Sequence, residues 1–315
     1  MKTRSGSIKM DTLSDDSLLQ IFDFCRQILK TPLGPYWDWY TLVHVCRRWR
    51  QLIFASPRRL DLKLLCGPRT PVRRILDCWP PLPLAINNDL ISSEGDEDNL
   101  VAALEHPDRI CRISSCVRWQ LSDKIAKIQQ PFPALTYLYL SGYRDDRIMR
   151  VLPDGFLGGY SPRLLDLRLD GILFPALPKF LSSTSNLVRL HLIGIPISGC
   201  ISPEVMANCL SMLPKLKWLS IMFKSLIPFP DQSRQCPPPL QRAVLPTLTT
   251  FSFKGNSEYL EDLVSRIDAP LLISLHLGFF DQPSLTFHNF PFHQSHRKFR
   301  IAYSSRLEFD LNLTS

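Results

Sequence analysis

The sequence predicts an α/β chain: a horseshoe-shaped solenoid of short strand–helix units, preceded by a small all-α helical domain. Three observations carry this expectation. An apolar L-x-x-L-x-L pattern recurs from ALTYLYLSG (134–142) to LLISLHLGF (271–279). Short segments with helical spacing lie between its copies. Ahead of both, residues 13–65 read as two amphipathic helices joined by a Pro/Gly loop.

The chain opens on MKTRSGSIKMDTLSDD, which has no apolar core behind its basic residues, so a secretory signal is not expected and residues 1–10 read as a flexible tail. Ser14 or Asp15 can cap the first helix by accepting a hydrogen bond from a free first-turn N–H. Asp15 and Asp16 then face the positive end of the helix dipole. Leu18, Leu19, Ile21, Phe22, Cys25 and Ile28 form its apolar stripe at steps of three and four. Thr31-Pro32-Leu33-Gly34-Pro35 breaks the helix. A second is expected from near Asp38 or Thr41, with Leu42, Val45, Cys46, Trp49, Leu52 and Ile53 on its buried side, and Pro57 ends it. Two helices of this size bury little alone, at about 25 cal/mol per Å² of apolar surface, so they need a further surface to pack on.

Past residue 60 the repeat takes over. Anchoring each copy on its middle apolar residue gives Leu138, Leu167, Leu190, Leu219, Phe251 and Leu275, with steps of 29, 23, 29, 32 and 24 residues. Fainter copies at RRLDLKLL (58–65), PLPLAIN (81–87) and DRICRIS (108–114) bring the total to about nine units. The intervening helices are expected over Val72–Cys78, Asp96–Glu105, Ser122–Gln129, Ala176–Ser182, Pro203–Met212 and Glu258–Ile267. A doubly wound sheet would share the alternation, but its strands read as unbroken apolar runs, whereas polar residues interrupt every strand here. Ile227–Leu245 reads as an inserted surface loop, and the pattern blurs from Gln282 until RLEFDLNL (306–313). The expected organisation is therefore a tail over 1–10, a helical domain over 11–57, a repeat region over 58–280 and an irregular or capping segment over 281–315.

Bulk composition narrows the function. With 45% apolar and 21% charged residues, and no run of 18 uncharged apolar residues, the 315-residue chain reads as globular with no membrane span. Nine cysteines without a CxxC pair read as reduced, buried thiols in an intracellular, cytoplasmic or nuclear protein. The net charge is +8, and residues 1–80 hold +7 of it. Nine basic residues and one acid, Asp61, lie between Arg47 and Arg74. That run attracts anionic partners or is a solvated face; few aromatics interleave it, which disfavours nucleic acid.

The front of the chain resembles the F-box, the module that docks on the Skp-type adaptor of SCF ubiquitin ligases. The resemblance covers roughly residues 11–56 and rests on Leu13, on Leu18/Leu19 with Ile21 and Phe22, and above all on VCRRWR from Val45 to Arg50. The pattern departs from the family at Ser14, where proline is usual, and in the long linker Lys30–Tyr40. The resemblance implies that Leu13, Leu18, Ile21, Phe22, Val45 and Trp49 form or support the adaptor interface. The region over 58–280 is similar to leucine-rich repeats. The two together look like a substrate receptor of an SCF-type E3 ligase, which holds a target protein while the adaptor links it to a cullin scaffold. The alternative is a repeat protein-interaction module that assembles no ligase.

Strand alternation predicts the binding face. If the leucines of L-x-L point to the core, the residue between them and the one before them point outward. That row contains Tyr137, Tyr139, Arg168, Arg189, His191 and Trp218, aromatic and basic side chains of the kind that anchor interfaces, and these are the expected target contacts. No phosphate loop, HExxH or GxSxG motif is present. His288, His293 and His296 lack a nearby Cys or carboxylate to complete a metal set, Cys111 and Cys116 lack a charged activator, and Asp145, Asp146 and Glu94–Asp98 read as solvated loop charge. The expectation is a non-enzyme with no cofactor or metal.

Overall fold

The protein is described from a computed structural model over residues 13–28, 42–56, 62–67, 71–79, 81–88, 94–117, 130–142, 150–225, 242–280, 298–303 and 307–312. Helix α1 (Asp15–Ile28) begins at Ser14, whose Oγ accepts the Ser17 N–H at 3.2 Å. Leu42 and Val43 are already helical near the expected start, but a turn at His44–Val45 interrupts the helix, and α2 (Arg47–Ala55) begins after Cys46, which is extended and whose Sγ accepts the Trp49 N–H at 3.5 Å. Strand β1 (Leu62–Leu65), helix α3 (Val72–Cys78), β2 (Leu84–Asn88), α4 (Glu94–Leu104) and β3 (Ile110–Val117) follow. Then come β4 (Tyr137–Gly142), β5 (Arg150–Val151), β6 (Asp166–Asp170), β7 (Ile172–Leu173), α5 (Leu177–Ser182), β8 (Arg189–Ile195), α6 (Pro203–Ser211) and β9 (Trp218–Phe223). The chain continues through β10 (Ala243–Val244), β11 (Thr250–Gly255), α7 (Ser257–Arg266), β12 (Ile267–Asp268), β13 (Ser274–Phe279), β14 (Lys298–Tyr303) and β15 (Leu307–Asn312).

One 11-stranded sheet runs β1-β2-β3-β4-β6-β8-β9-β11-β13-β14-β15. Every neighbouring pair in it is parallel except β14–β15, which is antiparallel. The apolar anchors pair directly: Leu138 with Leu167, Leu167 with Leu190, Leu190 with Leu219, Leu219 with Phe251 and Phe251 with Leu275. Their side chains are buried in one core with Phe180 and Leu181 of α5, Met206 and Leu210 of α6, and Leu260 and Leu263 of α7. The helices therefore cover the leucine face.

This architecture corrects the predicted fold class. The described residues form a mostly parallel α/β sheet with seven helices, not a leucine-rich-repeat solenoid or horseshoe behind an all-α F-box domain. The two front helices do not form a separate all-α layer, since Leu18 and Phe22 of α1 and Ile53 of α2, with Val43, are buried in the same core as the sheet. The connections between strands are also unlike one another: a helix between β1 and β2, two short strands flanking a 3-10 turn (Phe156–Gly159) around β6, and a 3-10 turn (Ile197–Gly199) plus α6 between β8 and β9. The physical reason is that L-x-x-L-x-L specifies a strand and its inward side chains; it specifies neither the return segment nor what packs against the first strand.

Smaller expectations divide. Helix α3 spans the expected Val72–Cys78, and α5, α6 and α7 lie within two residues of their expected limits. Helix α4 begins two residues before the expected Asp96–Glu105 and ends one before its limit, so the Glu94–Asp98 charge stands on a helix rather than in a loop. Cys66 and Cys209 are buried free thiols, but Cys46 and Cys78 are exposed. The linker 29–41, the expected helix Ser122–Gln129, Asp145/Asp146, most of 227–245 and the histidines at 288, 293 and 296 lie outside the described residues. Among the described residues no helix is long and apolar enough to cross a membrane.

Candidate functional site

Two surfaces emerge, one on the front helices and one on the sheet. On the front helices, Arg48 joins α2 to the start of α1. Its Nη2 donates to Asp15 Oδ1 at 2.7 Å and to the Leu13 carbonyl at 2.6 Å, and its Nε donates to the same carboxylate oxygen at 3.1 Å. Trp49 meets Phe22 edge-on, with ring centroids 4.7 Å apart. The six residues expected at an adaptor interface divide by depth. Leu18 and Phe22 are interior supports, Leu13 and Trp49 are partly buried against the core, and Ile21 and Val45 are open to solvent at 36% and 56% exposure. Phe24, 62% exposed, extends the open apolar surface one turn from Ile21. Sequence reading missed it because it falls off the main stripe; its i, i+3 relation to Ile21 was the available signal.

The basic run is partly committed to the fold. Beyond Arg48, Arg50 Nε donates to the Val43 carbonyl at 3.0 Å, and the Arg73 fork meets Glu105 at 2.9 and 3.0 Å. That pairing, by hydrogen bond and charge, raises the Arg73 pKa.

The second surface is the sheet face opposite the leucines. Pairing brings Tyr137, Asp166, Arg189 and Trp218 into one row across β4, β6, β8 and β9, and Tyr139, Arg168, His191 and Ser220 into the next. All six expected target contacts therefore share this face. Asp166 is its hub, and the sequence row contained it without marking it out. Its buried carboxylate accepts Nε and Nη2 of Arg168, both at 3.0 Å, and Nη1 of Arg189 at 3.2 Å. Burial pushes the Asp166 carboxyl up, but the hydrogen bond and charge of Arg168, the hydrogen bond of Arg189 and the charge of His191 outweigh it, so its pKa is lowered.

Arg112 was also missed. It is exposed on β3, its guanidinium carbon 4.5 Å from the Tyr137 ring centroid, while that of Arg168 lies 5.7 Å from the same centroid. The faint match of DRICRIS to the repeat hid its place in the outward row. His191 is half-buried, and its Nε2 is shielded from solvent with no hydrogen-bond partner among the described residues. Burial first, then the charge of Arg168, lowers its pKa against the opposing pull of Asp166, with Arg189 adding to the decrease. Trp218 and Arg189 are exposed, and Tyr137, Tyr139 and Arg168 are half-buried.

This face offers guanidinium forks, phenols and an indole on a rigid parallel sheet. Such a set can hold a partner by stacking and charged hydrogen bonds. Among the described residues no group of three His, Cys, Asp or Glu side chains is placed to hold a metal ion. No protein-family model matches this chain, and no curated protein matches it.

Proposed function

We propose that this chain is a substrate receptor of an SCF-type ubiquitin ligase, with the F-box-like front helices docking a Skp-type adaptor and the polar sheet face holding a target protein. The observation that carries the reading is that Ile21 and Phe24 of α1, and Val45 at the head of VCRRWR, stand open to solvent as exposed apolar side chains. Their supports, Leu18, Phe22 and Trp49, are anchored in the core and would present them rigidly. The chain would act by proximity, raising the effective concentration of a target lysine near a ubiquitin-charged enzyme, with no covalent chemistry of its own.

Co-purification of the full chain with a Skp-type adaptor tests this. Wild type is expected to retain adaptor, and Ile21→Asp with Val45→Asp to lose it while its circular dichroism is unchanged. Adaptor bound equally by both proteins sinks the reading. A second reading is an interaction module that recruits no ligase, its front helices serving only to cover the sheet core. The burial of Leu18 and Phe22 in the common core favours it, and it predicts that wild type retains no adaptor.

A further inference from the structure

We infer that the sheet face around Tyr137 docks an extended acidic peptide segment whose carboxylates are met by Arg112, Arg168 and Arg189. The inference rests on the reading of this face as the target-holding surface, and it names the chemistry of what is held.

Charge complementarity carries it first. Three guanidiniums, on β3, β6 and β8, surround Tyr137 and Asp166. Asp166 faces two of them and holds them in fixed orientation, without using all their donors: Arg168 gives it two N–H groups and Arg189 one. The Arg112 guanidinium is stacked on the Tyr137 ring and makes no hydrogen bond among the described residues. A stacked guanidinium keeps its in-plane donors available for a carboxylate. The Asp166 pairing is itself an example of the geometry an incoming carboxylate would adopt.

A second observation is independent of charge. His191, paired in register with Arg168, has a buried Nε2 that nothing in the described chain satisfies. An unpaired buried polar atom costs free energy, so a fold that keeps one on this face calls for an explanation beyond stability. The lowered His191 pKa keeps the ring neutral near pH 7, so it adds no further positive charge.

Spacing suits an extended chain. Arg112 and Arg168 stand on strands separated by β4, about 10 Å apart at the ordinary strand spacing. Carboxylates two residues apart on an extended peptide share one side and lie about 7 Å apart, a gap that the length of the arginine side chains can bridge. Half-buried Tyr139 on β4 offers an apolar contact between Arg112 and Arg168, and exposed Trp218 offers one beyond Arg189. A nucleic-acid backbone fits less well, because it is held by many uncompensated cations, whereas Asp166 and Asp170 lie on this same face.

The test is a dodecapeptide array probed with the full-length protein. One set alternates Glu or Asp with Leu and Phe, a second replaces every acid by its amide, a third carries Lys, and a fourth carries phosphoserine in place of Glu. The best binders are then measured by fluorescence anisotropy at low and high salt. Acidic peptides are expected to bind at least tenfold more tightly than their amide counterparts. That binding is expected to weaken with salt and to be lost in Arg112→Glu with Arg189→Glu, both exposed positions. The inference is overturned if acidic and amide peptides bind alike, if none binds, if the double variant binds as well as wild type, or if only phosphoserine peptides bind. A 20-nucleotide single-stranded RNA that binds more tightly than any peptide, with the same arginine dependence, also overturns it. Should the double variant unfold, the acid–amide comparison on wild type decides. Adaptor co-purification is scored in parallel: adaptor bound without acidic peptide sinks this inference alone, and acidic peptide bound without adaptor sinks the ligase reading alone.

Discussion

His191 and Asp166 share one cluster and respond differently to acid. The His191 pKa lies below its ordinary 6.5, so the unfolded chain binds the proton more readily than the folded one. Its contribution to stability therefore falls as pH drops below 6.5 and levels off below the folded pKa. The Asp166 carboxyl is lowered too, so its contribution is present above about pH 4 and is lost only as pH falls through its folded value. Urea unfolding at pH 7.5 and pH 5 should show a smaller pH-dependent loss for His191→Gln than for wild type; identical losses would exclude His191 as the source. Arg168, Arg189 and Asp166 are the charged groups acting on His191, and all remain in that variant. Tyr259 makes a separate point. Its ring is fully buried against Phe223 and Phe253, its OH donates to the Ile201 carbonyl at 2.8 Å, and burial pushes its pKa up. Tyr259→Phe should cost about 0.5–1.5 kcal/mol by chemical denaturation, the worth of one such bond. Strand alternation made the outward row legible from residues alone. It did not reveal that Asp166 is the hub, because one of its two arginine partners, Arg189, arrives from the next strand.

At the scale of elements, strands β9 and β11 show how tightly the sheet is packed against its helices. A Cβ added at Gly255 would lie 2.7 Å from both Phe223 Cδ2 and Phe253 Cζ, rings that also pack on Tyr259 of α7. Gly255→Ala should therefore destabilise by about 1–3 kcal/mol, seen as a lower denaturation midpoint. At the front, Trp49→Ala should cost about 3 kcal/mol by removing the ring against Phe22, and should weaken adaptor retention more than stability loss alone explains. Retention equal to wild type would count against the docking face. Helices with clear apolar stripes or caps were legible to within a few residues. The break at His44–Cys46 inside the expected second helix was not, since it rests on the turn before α2 and on Cys46 as its cap. The helix expected over Asp96–Glu105 was legible to within two residues, although the acidic charge of Glu94–Asp98, which carries no apolar spacing, read as loop; these residues open a helix whose Leu100, Ala103 and Leu104 are buried.

Across the whole molecule, one core joins the front helices to the sheet. Thermal unfolding followed by calorimetry should then show one cooperative transition including α1 and α2, and removing residues 1–57 should lower the midpoint of the remainder. Two well-separated transitions, with the second unchanged by truncation, would show instead that the helices fold on their own.

The residues alone determined where most strands lie, which side chains turn inward, and that Tyr137, Tyr139, Arg168, Arg189, His191 and Trp218 share a face, because side chains in a strand alternate with a period of two. Only the tertiary structure decided that the strands join one mostly parallel sheet, that the front helices pack into its core, and that Asp166 binds two arginines beside Tyr137. Local pattern acts over a few residues, whereas strand order, shared burial and charge pairing depend on segments that meet only once the chain has folded.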